Sequence, residues 1–428
     1  NLNFVDLFAG CGGLSLGLEE AGFRPVFVNE LNEDALATYL VNRKDEFPYL
    51  SDEPFFSKDV KDLVLDSKKL DVLKSAFKEF HNIDVDGKNG QDLDLLVGGP
   101  PCQGYSGIGH RRSYSVDKKQ LISNHLYQDM AFLIAQLRPR MFLFENVRGL
   151  LNSKWTSDGT KGEIWKDVRS TFENLEEYSI RYSLVYAKDY GVPQNRPRVL
   201  LVGIRNDLQF KFSDDDAHVA GGLLPNPSDY PNTPPHLEDL LSDLIDPNYK
   251  NGGTTETYPT DPQNEVQSKL RMDKDGHAFQ RGDQLIEQEY SKHRSHVRKK
   301  FKHMIKNGGK IPPRFQTKKF SQKVLKPIWN ENGPSITATS LPDDYIHWAQ
   351  PRTLTVREWA RLQTFPDWYE FKGKRTTGGI RRAGNPRESI YFREVPKYTQ
   401  IGNAVPVWLA NSLGKHFKKI LLSTNYKS

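Results

Sequence analysis

The stretch FVDLFAGCGGLSLGLEEA, residues 4–21, decides the fold of this chain. Phe4 to Phe8 is an apolar run of strand length. Ala9-Gly10-Cys11-Gly12-Gly13 interrupts it, and Leu14 to Ala21 continues as an amphipathic stretch. Strand, glycine turn and helix in that order form the unit in which a backbone approaches an adenosine-containing cofactor closely. The pyrophosphate-binding version of the turn wants Gly-x-Gly-x-x-Gly, and its last position here is Ser15. That weakens a dinucleotide reading. A glycine turn that serves packing alone is the competing interpretation.

Outward from this unit the pattern repeats. Arg24 to Val28 reads as a second strand ending in Asn29-Glu30, with a helix over Glu33–Asn42. Lys68 to Phe80 has helical spacing, Leu93–Val97 is a strong strand, and Leu126–Leu137 is helical. Met141–Phe144 is a strand that runs into Glu145-Asn146-Val147, and Ser179–Tyr186 and Val199–Ile204 are two more. Strands alternating with helices predict an α/β fold with a doubly wound, mainly parallel sheet. Past Phe212 the texture changes, and residues 213–290 are rich in Asp, Pro, Asn, Gly and Thr. Helical patterning returns at Thr353–Gln363 and Val407–Leu422. The chain therefore divides into a first domain over 1–207, completed by 396–428, and a second, smaller, loop-rich domain over 208–395.

The 428 residues suffice for two or three domains. Two cysteines, Cys11 and Cys102, make neither a disulfide framework nor a zinc site, and no metal is expected. A reducing, cytoplasmic setting fits that cysteine usage. No apolar stretch approaches the ~18 residues of a membrane span, and the first residues lack a basic leader segment. The net charge of +6 is modest, but its distribution is uneven. Residues 290–330 hold 13 Lys or Arg and no Asp or Glu, which leaves −7 for the rest of the chain. Such polarity points to a polyanion bound at one place. A solvated basic face is the alternative.

Three further blocks carry chemistry. Gly98-Gly99-Pro100-Pro101-Cys102-Gln103-Gly104 follows the strand 93–97. Proline fixes φ and restrains its predecessor, so this turn presents the Cys102 thiol stiffly at a strand end. A tight turn around a small buried hydrophobe is the competing reading. Glu145, after four apolar residues, should enter the same crevice, where a desolvated carboxyl suits general-acid work; a capping or ion-paired carboxylate is the competing reading. Arg196 and Arg198, two apart in an extended segment, project to one face and suit an oxygen ligand or phosphate, although the motif alone reads more readily as surface. On the cofactor side, Glu30 can accept both hydroxyls of a ribose, and Asp59 ends a segment near an adenine ring.

Taken in order, DLFAGCGG, GGPPCQGYS, ENV, QNRPR, RTLTVREWARLQTFP and QIGNAVP resemble the cytosine-C5 DNA methyltransferase family of restriction–modification type. The resemblance covers Phe4–Val202 and Gly333–Lys415, and the interval between holds the segment where that family carries its target recognition domain. It implies that Cys102 is the nucleophile, Glu145 holds the cytosine edge, Arg198 reaches O2 and Arg196 supports the site. It also implies S-adenosyl-L-methionine against Phe8, Gly10, Gly12, Glu30, Asp59, Val60 and Asn403. Ser106, in the cysteine block, and Thr337, in Ser335-Ile336-Thr337-Ala338, are the implied DNA contacts outside the basic run. Within that run, Lys299 and Lys300 are expected on phosphates, and Arg294, Arg298 and Arg314 are candidates for guanine. Arg111, Arg112, Lys118 and Lys119 are further phosphate candidates, with a solvated loop as the alternative. Ser123–Tyr127 departs from the family's Arg-Gly-x-Leu-Phe pattern, which leaves the anchor of the loop after Cys102 unassigned.

The implied partners are duplex DNA and a restriction endonuclease acting on the same sequence without a stable complex. A monomer with no membrane association is expected. A transfer RNA methyltransferase of the same fold, a catalytically silent DNA-binding relative and a cysteine hydrolase are the rival readings. Intact Cys102, Glu145 and Arg198 oppose the silent relative. The absence of a histidine from the cysteine and strand-end blocks opposes the hydrolase.

Overall fold

A computed structural model of the chain describes residues 2–86, 90–101, 122–213, 221–230, 233–316, 322–330, 333–336, 344–378, 381 and 393–424. The elements in chain order begin β1 (Leu2–Leu7), α1 (Gly13–Glu20), β2 (Phe23–Asn29), α2 (Glu33–Val41), β3 (Phe56–Ser57), α3 (Lys61–Leu65) and α4 (Ser67–His81). They continue with β4 (Leu95–Gly98), α5 (Leu126–Leu137), β5 (Met141–Val147), α6 (Glu163–Glu173), β6 (Tyr178–Tyr186) and β7 (Pro197–Arg205). The later part holds α7 (Leu237–Leu241), α8 (Glu265–Arg271), α9 (Ser295–Lys306), β8 (Lys323–Val324), β9 (Tyr345–Ile346), α10 (Val356–Leu362), α11 (Lys397–Asn403) and α12 (Val407–Ser423).

Seven strands form one sheet in the order β3-β2-β1-β4-β5-β7-β6. The pairs from β3 through β5 are parallel, and β7 runs antiparallel to both β5 and β6. Side chains alternate across a strand, so each inner strand feeds two cores. Val5, Leu96, Phe142, Phe144 and Leu201 face one core with Leu36, Leu73, Phe77, Met130 and Phe172 of the covering helices. Phe4, Leu95, Val97, Leu143 and Val202 face the other, covered by Leu14 and Leu18 of α1 and Leu409, Leu413 and Phe417 of α12. The helix 67–81, without a role in the sequence reading, thus seals one sheet face. The helices α1 and α12 pack backbone to backbone. A Cβ at Gly17 would come within 2.5 Å of the Val407 carbonyl, so no larger residue fits there.

The parallel strands all end at the same edge of the sheet, and antiparallel β7 begins there. That edge therefore collects Phe8–Gly12, Glu30, Ser57–Asp59, Gly99–Pro101, Glu145 and Arg198. A third core joins Leu237, Leu241, Leu270 and Trp359 to Cys11 and Leu16 behind the glycine turn. The region 208–395 is poor in regular structure, as its composition predicts. Its basic run nevertheless contains the twelve-residue helix α9, which charge alone had not revealed.

Candidate active site

The strand β5 presents Glu145 where the sheet changes from parallel to antiparallel pairing. In the β5–β7 ladder Glu145 lies opposite Leu200 and Val147 opposite Arg198, so Glu145 and Arg198 are diagonal neighbours on one face. The Arg198 Nε stands 2.6 Å from a Glu145 carboxylate oxygen, and the two side chains are 10% and 13% exposed. Arg198 also donates to the Pro197 carbonyl at 2.7 Å. The Glu145 carboxyl is therefore half of an ion pair, the arrangement that competes with the general-acid reading of the sequence. Gly99 sits directly against it, since a Cβ there would lie 2.8 Å from Glu145 Oε2. The Asn146 amide donates to the Pro100 carbonyl at 3.2 Å. The head of the Gly-Gly-Pro-Pro turn is thus tied to the strand that carries Glu145. Cys102 and Ser106 lie outside the described residues, as do Arg111, Arg112, Lys118, Lys119 and Thr337.

At the neighbouring strand ends the glycine turn is shaped by left-handed backbone, with φ of 57° at Phe8, 56° at Gly10 and 87° at Gly12. Gly12 cannot gain a side chain, because a Cβ would meet Tyr369, Arg43 and Tyr39 within 2.9 Å. Gly10 has nothing within 4 Å on that side, which leaves open space above the turn. Glu30, half-buried, bridges two backbone donors, Gly10 N–H at 2.7 Å and Asn32 N–H at 2.8 Å. Burial raises its carboxyl above the ordinary value, opposed by those hydrogen bonds. Asp59 is exposed and accepts from the Lys61 N–H at 2.9 Å, while Val60 is buried. Asn403 is exposed at the end of α11. Open space beside Gly10 and a carboxylate fixed on two backbone donors suit a ribose, so the residues present fit an adenosyl cofactor.

Cys11 lies beneath the turn, 1% exposed, with its thiol donating to the Gln400 carbonyl. Burial pushes that thiol up to about 12. It stays protonated and cannot act as a nucleophile.

Arg196 departs from the expected partnership with Arg198. It is 1% exposed, and its terminal nitrogens donate to the carbonyls of Ile336, Gly402 and Ala404. Its terminal nitrogens are thus engaged by backbone carbonyls of the scaffold. The RTLTVREWARLQTFP block is scaffold as well. Thr355 and Glu358 form a capping box on α10, and Glu358 also holds Arg352 through two contacts at 2.7 and 2.8 Å. Arg361 bridges Asp243 and Asp367, both at 2.6 Å, with all three side chains fully buried. Sequence reasoning missed Gln194 and Gln363, whose amides meet at 2.7 Å in this buried layer.

On α9, Phe301 and Met304 are buried with Ile346, and Val297 and Ile305 pack beside them. The opposite side is exposed and basic, with Lys299, Lys302, His303 and Lys306 at helical spacing and Arg294 just ahead. Lys300 does not share that side. It is half-buried and donates to Gln322 at 2.6 Å. Arg298 is half-buried too, whereas Arg314 is exposed and lies over the Phe315 ring. A cavity at the opposite edge of the sheet is lined by Asp92, Asp94, Arg140 and Arg205. Ion pairs Arg140–Asp94 and Arg205–Asp92, both 3.0 Å, lie in it, and none of the described site residues lines it.

A mostly parallel α/β sheet with a glycine turn, a carboxylate anchored on backbone N–H groups and a Gly-Gly-Pro-Pro segment beside a Glu–Arg pair is an architecture suited to an enzyme that uses a nucleotide-type cofactor. Residues 2–419 match the family described as C-5 cytosine-specific DNA methylase, and the chain belongs to that family. The Type II methyltransferase M.DdeI of Desulfomicrobium norvegicum is 30% identical over 429 residues, covering 97% of this chain and 88% of its own length. The Type II methyltransferase M.PspPI of a Psychrobacter species is 30% identical over 424 residues, with 98% and 79% covered. Among solved structures, a prophage-encoded E. coli protein described as a DNA modification methyltransferase has a TM-score of 0.65 at 24% identity, with 99% of this chain and all of the other covered. An Entamoeba histolytica methyltransferase reaches 0.52 at 13% identity, with 98% of each chain covered. These two likenesses concern the fold. The chain is a DNA cytosine-C5 methyltransferase, of a family that uses S-adenosyl-L-methionine.

Proposed function

We propose that this enzyme methylates one cytosine within a specific duplex sequence through a covalent adduct at Cys102, as the modification half of a restriction–modification system. The observation that carries the assignment is the Arg198–Glu145 pair at 2.6 Å, pressed against Gly99 at the head of the Pro-Pro-Cys turn. C5 of cytosine is too weak a nucleophile to be alkylated directly. The Cys102 thiolate adds to C6, forming an S–C6 bond and moving the ring electrons toward C5. Glu145, holding a proton, donates it to N3 as charge develops there and takes it back when the ring is restored, while Arg198 steadies the carboxylate left behind and reaches O2. S-adenosyl-L-methionine, when bound, supplies the methyl group that C5 receives. Loss of the C5 proton to a base then restores the ring, and Cys102 leaves with its electron pair. Neither face of the C5–C6 bond is open in a stacked duplex, so the base is flipped into the crevice.

Phe8, Gly10, Gly12, Glu30, Asp59, Val60 and Asn403 would hold the cofactor, with Glu30 on the ribose. The exposed basic side of α9, with Arg294 and Arg314, is the proposed DNA face, joined by Ser106 and Thr337. The names of the similar type II methyltransferases support a cognate endonuclease for the same sequence. No helix among the described residues is long and apolar enough to cross a membrane. We place the enzyme in the cytoplasm, as a monomer. Bisulfite sequencing of DNA from cells expressing the chain tests the proposal. One protected sequence context is expected, lost with Cys102→Ser. Unmethylated DNA throughout, or methyl transfer to transfer RNA in place of duplex DNA, would overturn it.

A further inference from the structure

Ile336 is gripped at both polar groups of its backbone by side chains that reach across to residues 401–404. Its N–H donates to Gln194 Oε1 at 3.2 Å. The Gln194 amide donates in turn to Gln363 Oε1 at 2.7 Å, and the Gln363 amide donates to the Ile401 and Ala404 carbonyls at 2.8 and 3.0 Å. The Ile336 carbonyl accepts from Arg196, whose other terminal nitrogen reaches the Gly402 and Ala404 carbonyls at 2.7 and 3.0 Å. Beside them the Asn195 N–H donates to the Pro334 carbonyl at 2.9 Å. Gln194, Arg196, Ile336 and Gln363 are each at most 1% exposed. Water cannot replace these bonds, so a shift at either end leaves buried groups unpaired.

The two ends are different parts of the proposed site. Residues 333–336 lead directly to Thr337, where the chain leaves the basic, DNA-facing region. Residues 401–404 contain Asn403, the proposed cofactor contact. We propose that Gln194 and Gln363 are positioning residues that couple target DNA binding to cofactor retention, with Arg196 as the parallel strut. The inference rests on the cofactor and DNA assignments above. The Gln194 amide also donates to the Leu362 carbonyl, so the relay is anchored along its length and displacing one end strains the bonds at the other. A coupling free energy follows where DNA and cofactor favour the same arrangement of the relay. Such coupling is reciprocal, so the cofactor should tighten DNA by the factor by which DNA tightens the cofactor.

The test uses the whole chain and a duplex carrying the sequence that bisulfite mapping identifies. The dissociation constant of S-adenosylhomocysteine is measured by calorimetry with and without that duplex. The parent should bind at least about fivefold more tightly with the duplex. Gln194→Met and Gln363→Met should each bring that ratio to within about twofold of one, and the double variant should go no further, because the relay acts as a unit. A merely structural role would lower the melting temperature and leave the ratio unchanged. Gln363→Asn keeps the amide but shortens its reach, and it carries the same expectation should a methionine variant not fold. A parent without a duplex effect, a single variant with the parent's ratio, or additive losses would each overturn the coupling. A parent that binds no S-adenosylhomocysteine and marks no cytosine would overturn the methyltransferase assignment, and the coupling with it.

Discussion

Arg198 Nε lies 2.6 Å from the Glu145 carboxylate, and the two residues are diagonal neighbours in the β5–β7 ladder. The pairing exists because β7 runs antiparallel to β5. A parallel strand would end at this edge and not begin there. Two strands thus fix the carboxyl and its guanidinium before any substrate arrives, and in the proposed role that removes reorganisation at the moment of reaction.

Replacing either member should affect rate more than binding. Glu145→Gln should lower methyl transfer by roughly 10² or more, the scale of a positioned acid. Its amide still offers one donor and one acceptor to a flipped cytosine, so duplex affinity should fall only moderately. Arg198→Met should also slow transfer, because Glu145 then loses its fixed orientation. Single-turnover rates alongside duplex dissociation constants check this, and a near-normal rate for Glu145→Gln would assign that residue to structure.

The two cysteines should separate cleanly. Cys102→Ser should abolish methylation and keep sequence-specific DNA binding, because a serine hydroxyl stays protonated at neutral pH and does not add at C6. Cys11→Ala should keep most activity, since the Cys11 thiol is buried and pushed up to about 12. Trapping on 5-fluorocytosine duplex reads both. A covalent complex should form with Cys11→Ala and not with Cys102→Ser.

The sheet was legible because its strands are short apolar runs bounded by glycine, proline or acids. The helix Leu126–Leu137 even has the bounds that its periodicity predicts. The two-residue strand Phe56–Ser57 is too short to show a period. Helix Glu163–Glu173 carried a signal that went unread, with Ile164, Val168 and Phe172 at steps of four. In α9 the basic charge masked the same kind of stripe, formed by Val297, Phe301, Met304 and Ile305. The individual site blocks were readable because each is local. The ion pair of Arg198, the diversion of Arg196 to backbone carbonyls and the Gln194–Gln363 contact were not. They depend on which strands and loops become neighbours, a property of the folded chain and not of any one segment.

Acid stability should respond to His347. This side chain is fully buried, 3.8 Å from Glu358, and burial pulls its imidazole down to about 3 from an ordinary 6.5. Unfolded, it binds a proton near pH 6.5, and folded only near 3. The unfolded state therefore takes up more protons between those values, and this residue's contribution is lost as pH falls through that window. Glu358 acts lower. Burial alone would raise its carboxyl, but Arg352 brings it down to about 2 from 4.5. Its contribution is present above 4.5 and lost toward 2. The advantage in melting temperature of the parent over His347→Gln should shrink between pH 7 and 4. A difference that stays constant over that range would contradict the assignment.

The exposed side of α9 makes the last prediction quantitative. Lys299, Lys302 and Lys306 stand on it, whereas Lys300 is held by Gln322 at 2.6 Å. If this side follows a DNA backbone, log affinity should fall with log salt at about −0.9 per phosphate neutralised. Replacing Lys299, Lys302 and Lys306 together with alanine should flatten that slope by up to about three units and leave the preferred sequence unchanged, since phosphate contacts position without specifying. Lys300→Ala should change the slope much less. Alanine at Arg294 or Arg314 should, for a true base reader, cost about 1–3 kcal/mol and relax the preference at one position. Filter binding across a salt series separates these outcomes. A triple variant with the parent's slope would show that α9 faces solvent and that the DNA lies elsewhere.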